Sequence, residues 1–199
     1  GIVSTNPSLC HEKIKVYNLN MLGHKYILKM GNSILRQIAE PFSHDDSKSS
    51  ATKSVIKRMW KIMDEAGGIG LAAPQIAVSK QLAIIRLDES SERYPGIESS
   101  PEYIMFNPVI NYLTEENQGH GEGCLSVPGL RGYVERPSKI TVNYTNEYLV
   151  SNILNLDGFL ATVFQHEIDH LFGKLYIDRV FNKELIMYED EFLKINENV

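Results

Sequence analysis

The sequence predicts an α+β fold, and three observations support it. An amphipathic helical pattern covers residues 51–66, and a block of short β-rich runs extends from residue 81 to residue 156. Two more helical patterns follow over residues 158–172 and 182–195. Helices that are separate from a block of antiparallel strands are typical of the α+β class.

Composition narrows the class of protein. The 199 residues are 43% hydrophobic and 23% charged, so the chain is long enough to bury roughly 70% of its unfolded surface in one domain. Cys10 and Cys124 are the only cysteines, which excludes a disulfide scaffold and is consistent with a reducing compartment or with a site that uses a lone thiol. The formal charge of -5 argues against electrostatic binding to nucleic acid or anionic lipid. No apolar run approaches the roughly 18 to 20 residues of a membrane helix.

The two ends of the chain are expected to lie outside the main domain, which we place at residues 26–180. Residues 1–25 show no hydrophobic period and carry a slight excess of lysine. We interpret them as an N-terminal extension, with the remnant of an organellar transit peptide as the alternative. Residues 181–199 are predicted as a C-terminal helix.

The first helix is predicted over residues 51–66, where apolar residues recur at three- and four-residue spacing. Ser49 or Ser50 can cap its start, and Gly67-Gly68 is expected to end it. Strands are predicted at 81–87, 103–113, 139–145 and 148–156, the last two joined as a hairpin. Residues 90–101, rich in Ser, Pro and Gly, are expected to form a surface excursion with a structural role only.

The second helix is predicted to begin at Asp157 as N-cap and to end at Gly173, and it contains His166, Glu167 and His170. Two histidines four residues apart lie on one helical face, so both imidazoles can reach the same cation. Glu167 can act as general base toward water at that cation. Phe159 and Val163 extend the same face and would wall the site with apolar surface.

Two imidazoles leave a catalytic metal site incomplete, because such sites normally take three protein ligands and a water. The position expected for a third histidine in the long zincin motif holds Tyr176, which is not a histidine. Glu191 would be the choice of a thermolysin-like protease, and Cys124 is a soft ligand beside a permissive glycine. From the residues alone, Cys124 is the better candidate for the third ligand, but the identity of that ligand stays open.

A third segment, GIGLAAPQ at residues 68–75, directly follows the first helix. Its small residues allow another backbone or a bound chain to approach closely. Gln75 is neutral, so its amide can donate to a developing oxyanion without adding charge. By itself, this segment is a weak signal.

Together, the segments GIGLAAPQ, EGCLS (122–126) and QHEIDHLFG (165–173) resemble the three signature motifs of the peptide deformylases. The resemblance runs from about residue 26 to residue 180. It implies antiparallel sheets around a central metal-bearing helix, and removal of the formyl group from the N-formylmethionine of nascent polypeptides, with release of formate. Ala77 stands where the family often has Gly, and Asn32-Ser33 stands where many members have Asp-Pro.

The resemblance also implies roles for individual residues. Cys124, His166 and His170 would bind the metal, Glu167 would be the general base, and Gln75 and the backbone N–H of Leu125 would stabilise the oxyanion. Glu122 and Arg131 would pair near the pocket mouth, and Asp169 would orient a ligand histidine or cap backbone. The substrate would be bound by the following residues: Ile69, Gly70, Glu122, Gly123, Leu125, Arg131, Phe159, Thr162, Val163 and His166.

The resemblance also implies a metal and a cellular setting, but it specifies them less closely than the site residues. The family commonly uses Fe(II), while two histidines and one thiolate also accept Zn, Ni or Co. The expected partners are formylated nascent peptides, with contact to the ribosome near the exit tunnel left open and neither membrane nor sequence-specific nucleic acid expected. The bacterial cytoplasm is the expected location, and an organelle is the alternative.

Three other functions compete with this interpretation. A zinc peptidase would use the same His-Glu-x-x-His chemistry, and a docking module would keep the fold without the reaction. A purely structural zinc site would require four protein ligands. The presence of Glu167, Gln75 and all three proposed ligands favours the enzyme.

Overall fold

The computed structural model of the protein describes residues 26–196. The predicted extension over residues 1–25, which includes Cys10, lies outside the described residues. Within the described part, no helix is both long enough and apolar enough to cross a membrane.

The larger sheet has five strands, and every neighbouring pair is antiparallel. Asn107, with a φ of 50°, lies at an irregularity in the pairing between the strand at residues 103–113 and the strand at residues 139–145. In spatial order the strands are β1 (Gly70–Ala72), β2 (Leu82–Ile85), β3 (Tyr103–Leu113), β6 (Lys139–Thr145) and β7 (Ser151–Asp157).

The smaller sheet has three antiparallel strands and carries the EGCLS segment. Its register places Glu122 opposite Gly132 and Gly123 opposite Arg131, and the pairing shifts between Gly123 and Cys124. In spatial order the strands are β4 (Asn117–Cys124), β5 (Val127–Pro137) and β8 (Ile186–Tyr188).

Helix α3 (Gly158–Leu171) contacts strands of both sheets. All residues from 161 to 171 are buried, including the polar ones. Phe164, Ile168 and Leu171 pack in the main apolar core against the larger sheet. Since polar side chains are buried only when they are paired or bind a ligand, the buried histidines and carboxylates of α3 require partners.

A second apolar cluster lies under helix α2 (Ser50–Glu65), which follows the short helix α1 (His44–Lys48). The Ser49 hydroxyl accepts a hydrogen bond from the Thr52 amide and caps α2, while Met59, Ile62 and Met63 are buried. Gly67 follows the helix with a φ of 63°, the left-handed conformation that glycine adopts readily.

Several predicted elements are confirmed, and others differ. The strands expected at 103–113 and 139–145 have those bounds, and α2 and α3 lie within a residue of their predicted ends. The single helix expected over 182–195 is wrong: a 3₁₀ turn (Lys183–Leu185) and β8 come first, and only α4 (Glu189–Asn196) is helical. Strand β8 forms because its residues pair with Leu130, Arg131 and Gly132 of β5.

Candidate metal centre and active site

Three potential metal ligands meet where α3 faces the end of β4. The ligand atoms of Cys124, His166 and His170 all lie within 4.8 Å of one another, and the three residues are buried. The helical spacing of four residues places the two imidazoles on one face, with ring centroids 5.0 Å apart and the rings edge to face. The Cys124 Sγ lies 3.3 Å from Nε2 of His170.

The chemistry of this donor set fits a divalent transition metal. Burial would raise the pKa of the Cys124 thiol, but the neighbouring imidazoles of His170 and His166 lower it well below its usual value. A thiolate with two imidazoles gives three protein ligands and leaves a fourth position open, which is the arrangement of a catalytic site.

Glu122 fixes the orientation of His166. Its Oε2 lies 2.8 Å from Nδ1 of His166, and its two oxygens accept hydrogen bonds from Nε and Nη2 of Arg136 at 2.6 and 2.9 Å. Burial would raise the pKa of Glu122, but the hydrogen bonds from His166 and Arg136 lower it to about 2. Because Glu122 is therefore a carboxylate, Nδ1 of His166 is the donor and Nε2 is left to bind a metal.

The expected ion pair between Glu122 and Arg131 is wrong. In an antiparallel pair, directly opposed residues share a face, so Glu122 lies on the face of Gly132 and Arg136. Arg131 is opposite Gly123 and points to the other face, where it is fully buried and pairs with Glu189.

Asp169 belongs to the same buried network as Glu122. It accepts a hydrogen bond from Nη1 of Arg136 at 2.8 Å and is also paired with Arg179. Arg136, only 2% exposed, thus bridges two carboxylates behind the metal ligands. Asp169 is thus connected to His166 through the hydrogen bonds of Arg136 and Glu122.

Glu167 is buried beside the three ligands and lines the pocket. Its Oε2 has no hydrogen-bond partner among the described residues. Burial is the largest influence on this carboxyl and raises its pKa to about 7. A carboxyl with this pKa can both accept and return a proton near neutral pH.

The Gln75 side chain is held with its amide nitrogen toward Cys124. Its Oε1 accepts a hydrogen bond from the Ala72 amide at 2.8 Å, which leaves Nε2 directed to Ser126 Oγ at 3.1 Å and Cys124 Sγ at 3.6 Å. Gln75 lies in a 3₁₀ turn (Ala73–Ile76) that is followed by Ala77, whose φ of 63° explains why glycine suits that position.

The pocket over the ligands brings together most of the residues predicted to bind substrate, and Arg131 is not among its lining residues. Leu125, next to Cys124, lines the pocket as well. The predicted substrate residues that line it are Ile69, Gly70, Glu122, Gly123, Leu125, Phe159, Thr162, Val163 and His166.

Two lining residues, Arg93 and Tyr94, lie outside every segment that was predicted to form the site. They belong to the excursion at residues 90–101, which was expected to be a surface feature and which contributes to the pocket wall. The Tyr94 hydroxyl donates to the Gly123 carbonyl oxygen at 3.3 Å, and its ring lies 5.5 Å from the Phe159 ring. An arginine and a tyrosine together in a Ser-rich loop were the signal, because such side chains are common at binding sites.

Comparison with known proteins places the chain in a family. The sequence model of the family described as polypeptide deformylase matches residues 24–185. A protein of Leptospira biflexa named peptide deformylase is 46% identical over 165 residues, which is 83% of this chain and 92% of the relative.

Solved structures give the same result. The class I type b peptide deformylase of Acinetobacter baumannii, in a structure bound to Met-Ala-Ser, has a TM-score of 0.74 and 35% identity, covering 77% of this chain and 96% of that chain. A peptide deformylase of Synechococcus elongatus in complex with actinonin has a TM-score of 0.71 and 35% identity over 86% of both chains. With its ligand cluster, its buried glutamate and these relatives, the chain belongs to the polypeptide deformylase family.

Proposed function

We propose that the protein is a metal-dependent hydrolase that removes the formyl group from the N-formylmethionine of nascent polypeptides and releases formate. The observation that carries this proposal is the meeting of the potential ligands Cys124, His166 and His170 beside the buried carboxyl of Glu167. Membership of the deformylase family supports the substrate class.

The three ligands would hold one divalent ion from the helix and strand that meet there. Such an ion, when bound, lowers the pKa of water and polarises a carbonyl group. Fe(II) is our choice in the cell, with Zn, Ni and Co as alternatives, because this ligand set does not select strongly among them. The metal content of the protein purified without oxygen tests the choice.

Glu167 would carry the proton through the reaction. As the water oxygen attacks the formyl carbon, the Glu167 carboxylate takes the proton that the water loses. When the C–N bond breaks, the same carboxyl delivers that proton to the departing amine. The products are formate and a peptide whose N-terminal methionine has a free amino group. The Glu167 pKa of about 7 suits both steps.

Gln75 and Leu125 would stabilise the charge that develops on the formyl oxygen. The Gln75 amide is already oriented by Ala72, so it needs no reorganisation during the reaction. The backbone N–H of Leu125 adjoins Cys124 and is the second proposed donor. Removing one donor of this kind typically costs about 3 to 4 kcal/mol of transition-state stabilisation.

Substrate recognition would rest on backbone pairing and an apolar pocket. Ile69, Gly70 and Gly123 would offer backbone groups to an extended peptide, which allows many different N-termini to bind. Phe159, Thr162 and Val163 would surround the methionine side chain with Leu125.

The cellular setting completes the proposal. We place the protein in the bacterial cytoplasm, where formylated nascent chains are made, with an organelle as the alternative. The catalytic domain would comprise residues 26–180. Ribosome contact near the exit tunnel would bring the enzyme to its substrate.

Formate release tests the proposed function directly. Formyl-Met-Ala-Ser and Met-Ala-Ser are incubated separately with the protein under anaerobic conditions, and both formate and internal cleavage products are measured. Formate from the first peptide alone is expected. Cleavage of internal amide bonds without formate would instead favour the zinc peptidase, and inactivity of the metal-loaded protein on both peptides would favour a docking module.

The Glu167→Gln variant separates catalysis from metal binding. It removes the proton carrier and keeps the size of the side chain. The variant should therefore bind metal normally, and its rate of formate release should fall about 100-fold or more. Full hydrolysis by this variant would contradict the assignment of the general base.

A further inference from the structure

The C-terminal helix begins with a carboxylate that pairs with a fully buried arginine. Oε1 of Glu189 accepts hydrogen bonds from Nε and Nη2 of Arg131 at 3.0 and 2.6 Å. Arg131 is 0% exposed, and Glu189 is the one carboxylate paired with it within residues 26–196. An unpaired buried guanidinium is costly, so Glu189 is what keeps Arg131 in this position.

Arg131 in turn supports the wall of the active-site pocket. Its guanidinium lies 4.5 Å from the centroid of the Tyr94 ring, within the range of a cation–π interaction. Its Nη2 also donates to the Arg93 carbonyl oxygen at 2.9 Å. Both residues that the excursion contributes to the pocket are therefore held by Arg131.

The contact continues to the strand that carries a proposed metal ligand. The Tyr94 hydroxyl donates to the carbonyl oxygen of Gly123, the neighbour of Cys124, and the Tyr94 ring packs against Phe159. Arg93 also points back to Glu189, with Nε 3.4 Å from Oε1. Contacts through Arg131 and Arg93 thus connect the start of α4 to the pocket wall.

Phe192, one turn further along α4, contacts the same arginine. The Arg131 guanidinium lies 5.6 Å from its ring centroid. A Cβ on Gly121 would lie only 2.2 Å from the Phe192 ring, so this ring packs directly on the β4 backbone. Phe192 therefore packs α4 against the small sheet independently of Glu189.

We propose that Glu189 is a positioning residue of the active site: by fixing Arg131, it holds Arg93 and Tyr94 against the pocket and so determines how tightly the substrate peptide binds. This inference rests on the proposed function, since it concerns the same pocket. It assigns the C-terminal helix a role in substrate binding. Glu189 makes no hydrogen bond or ion pair with Cys124, His166, His170 or Glu167 among the described residues, so the chemical step should be spared.

The test compares Glu189→Gln with Asp190→Asn, a matched control that removes a charge from the next, exposed residue of α4. Formate release from formyl-Met-Ala-Ser gives kcat and KM, and bound metal is measured for each variant. For Glu189→Gln we expect KM to rise about 5- to 30-fold, the equivalent of a lost cation–π contact. Its kcat should stay within about twofold, and the control should match the parent protein.

A conservative variant and a double-mutant cycle distinguish positioning from general support. Glu189→Asp keeps the charge, so it should restore part of the lost affinity. Tyr94→Leu should raise KM by itself, and adding Glu189→Gln to it should change KM little further, because both substitutions act through one contact. Additive effects of the two substitutions, or an unchanged KM in Glu189→Gln, would overturn the inference.

Calorimetry measures the binding of Met-Ala-Ser to the metal-loaded protein and needs no hydrolysis. If the parent protein releases no formate, the proposed function fails while this titration still tests the role of Glu189. Weaker peptide binding in Glu189→Gln with unchanged metal content supports it. Loss of metal together with peptide binding would show that Glu189 supports the metal centre instead, and would overturn the inference.

Discussion

Gly70 and Glu167 pack against each other so closely that no side chain fits between them. A Cβ on Gly70 would lie 2.5 Å from Oε1 of Glu167 and 2.8 Å from its Cγ. Gly70 lies in strand β1 with an ordinary extended backbone, so the constraint on this residue is space and not backbone conformation. The absence of a side chain at residue 70 therefore leaves the space that the proposed general base occupies.

The first prediction concerns this contact. Gly70→Ala must displace Glu167 from the metal ligands, so formate release should fall by about 100-fold or more, the usual contribution of a general base. Bound metal should stay near the parent level, because Cys124, His166 and His170 are not displaced. Parent-level activity in a folded Gly70→Ala protein would show that Glu167 does not need its observed position.

The structure also explains which parts of the fold were accessible from sequence. Strands β3 and β6 combine β-branched and aromatic residues, and the pattern gives their bounds correctly. Strand β4, Asn117–Cys124, was missed because its three glycines lower its β propensity. Those glycines are required by packing: a Cβ on Gly119 would collide with Tyr133, and one on Gly121 would collide with Phe192.

The candidate site was predicted where its chemistry is local in sequence. The spacing of His166 and His170 places both on one face of a helix, so a short motif was sufficient. The buried network around Glu122 was not accessible. Its partner Arg136 comes from the next strand, and Asp169, which pairs with Arg136, lies 47 positions after Glu122 in the chain. The contribution of Tyr94 depends on Arg131 and Glu189, which are distant from it in sequence.

The second prediction concerns Glu122. Glu122→Gln preserves size but removes the charge that accepts a hydrogen bond from His166 and pairs with Arg136. We expect metal affinity to fall about 10- to 100-fold, as for other partners of metal-ligating histidines. Competition with a chelator measures it, and Glu116→Gln in the loop before β4 serves as control. Equal metal affinity in the two variants would contradict the role of Glu122.

The third prediction concerns acid stability. The Asp178 carboxylate accepts hydrogen bonds from Arg36 and from the Leu175 amide. Burial would raise its pKa, but these hydrogen bonds lower it below the ordinary value. The stabilisation is therefore present above the unfolded pKa of about 3.9 and is lost as the pH falls through the lower folded pKa.

Asp178→Asn removes this dependence. The unfolding free energy of the parent protein should fall more steeply than that of the variant below about pH 4. The difference should be less than about 1 kcal/mol, because the pair is partly exposed to solvent. Denaturant unfolding at a series of pH values measures it, and parallel curves for the two proteins would refute the prediction.

The fourth prediction concerns removal of the metal. Ligands from β4 and α3 would be joined through one ion, so chelation should abolish formate release and also lower Tm. An ion at about 100 times its Kd adds about 2.7 kcal/mol of stability, which corresponds to about 5 to 10 °C in a domain of this size. Cys124→Ser should show little further change on chelation, and a chelator-insensitive parent Tm would contradict the proposed ligand set.

The fifth prediction concerns the oxyanion donor. Gln75→Glu keeps the shape of the side chain, but it removes the amide donor and places a carboxylate beside the Cys124 thiolate. Because negative charge then faces a developing negative charge, kcat should fall about 100- to 1,000-fold, the effect of losing an oxyanion-hole donor. Bound metal must be measured in parallel, since the added carboxylate also lies near a ligand.

Ser126→Ala is the matched control: it removes the hydroxyl that accepts from Gln75 Nε2 at 3.1 Å and leaves the amide anchored by Ala72. That control should change kcat much less than Gln75→Glu. Similar losses in the two variants would mean that Gln75 acts by supporting local structure and not by donating to the substrate.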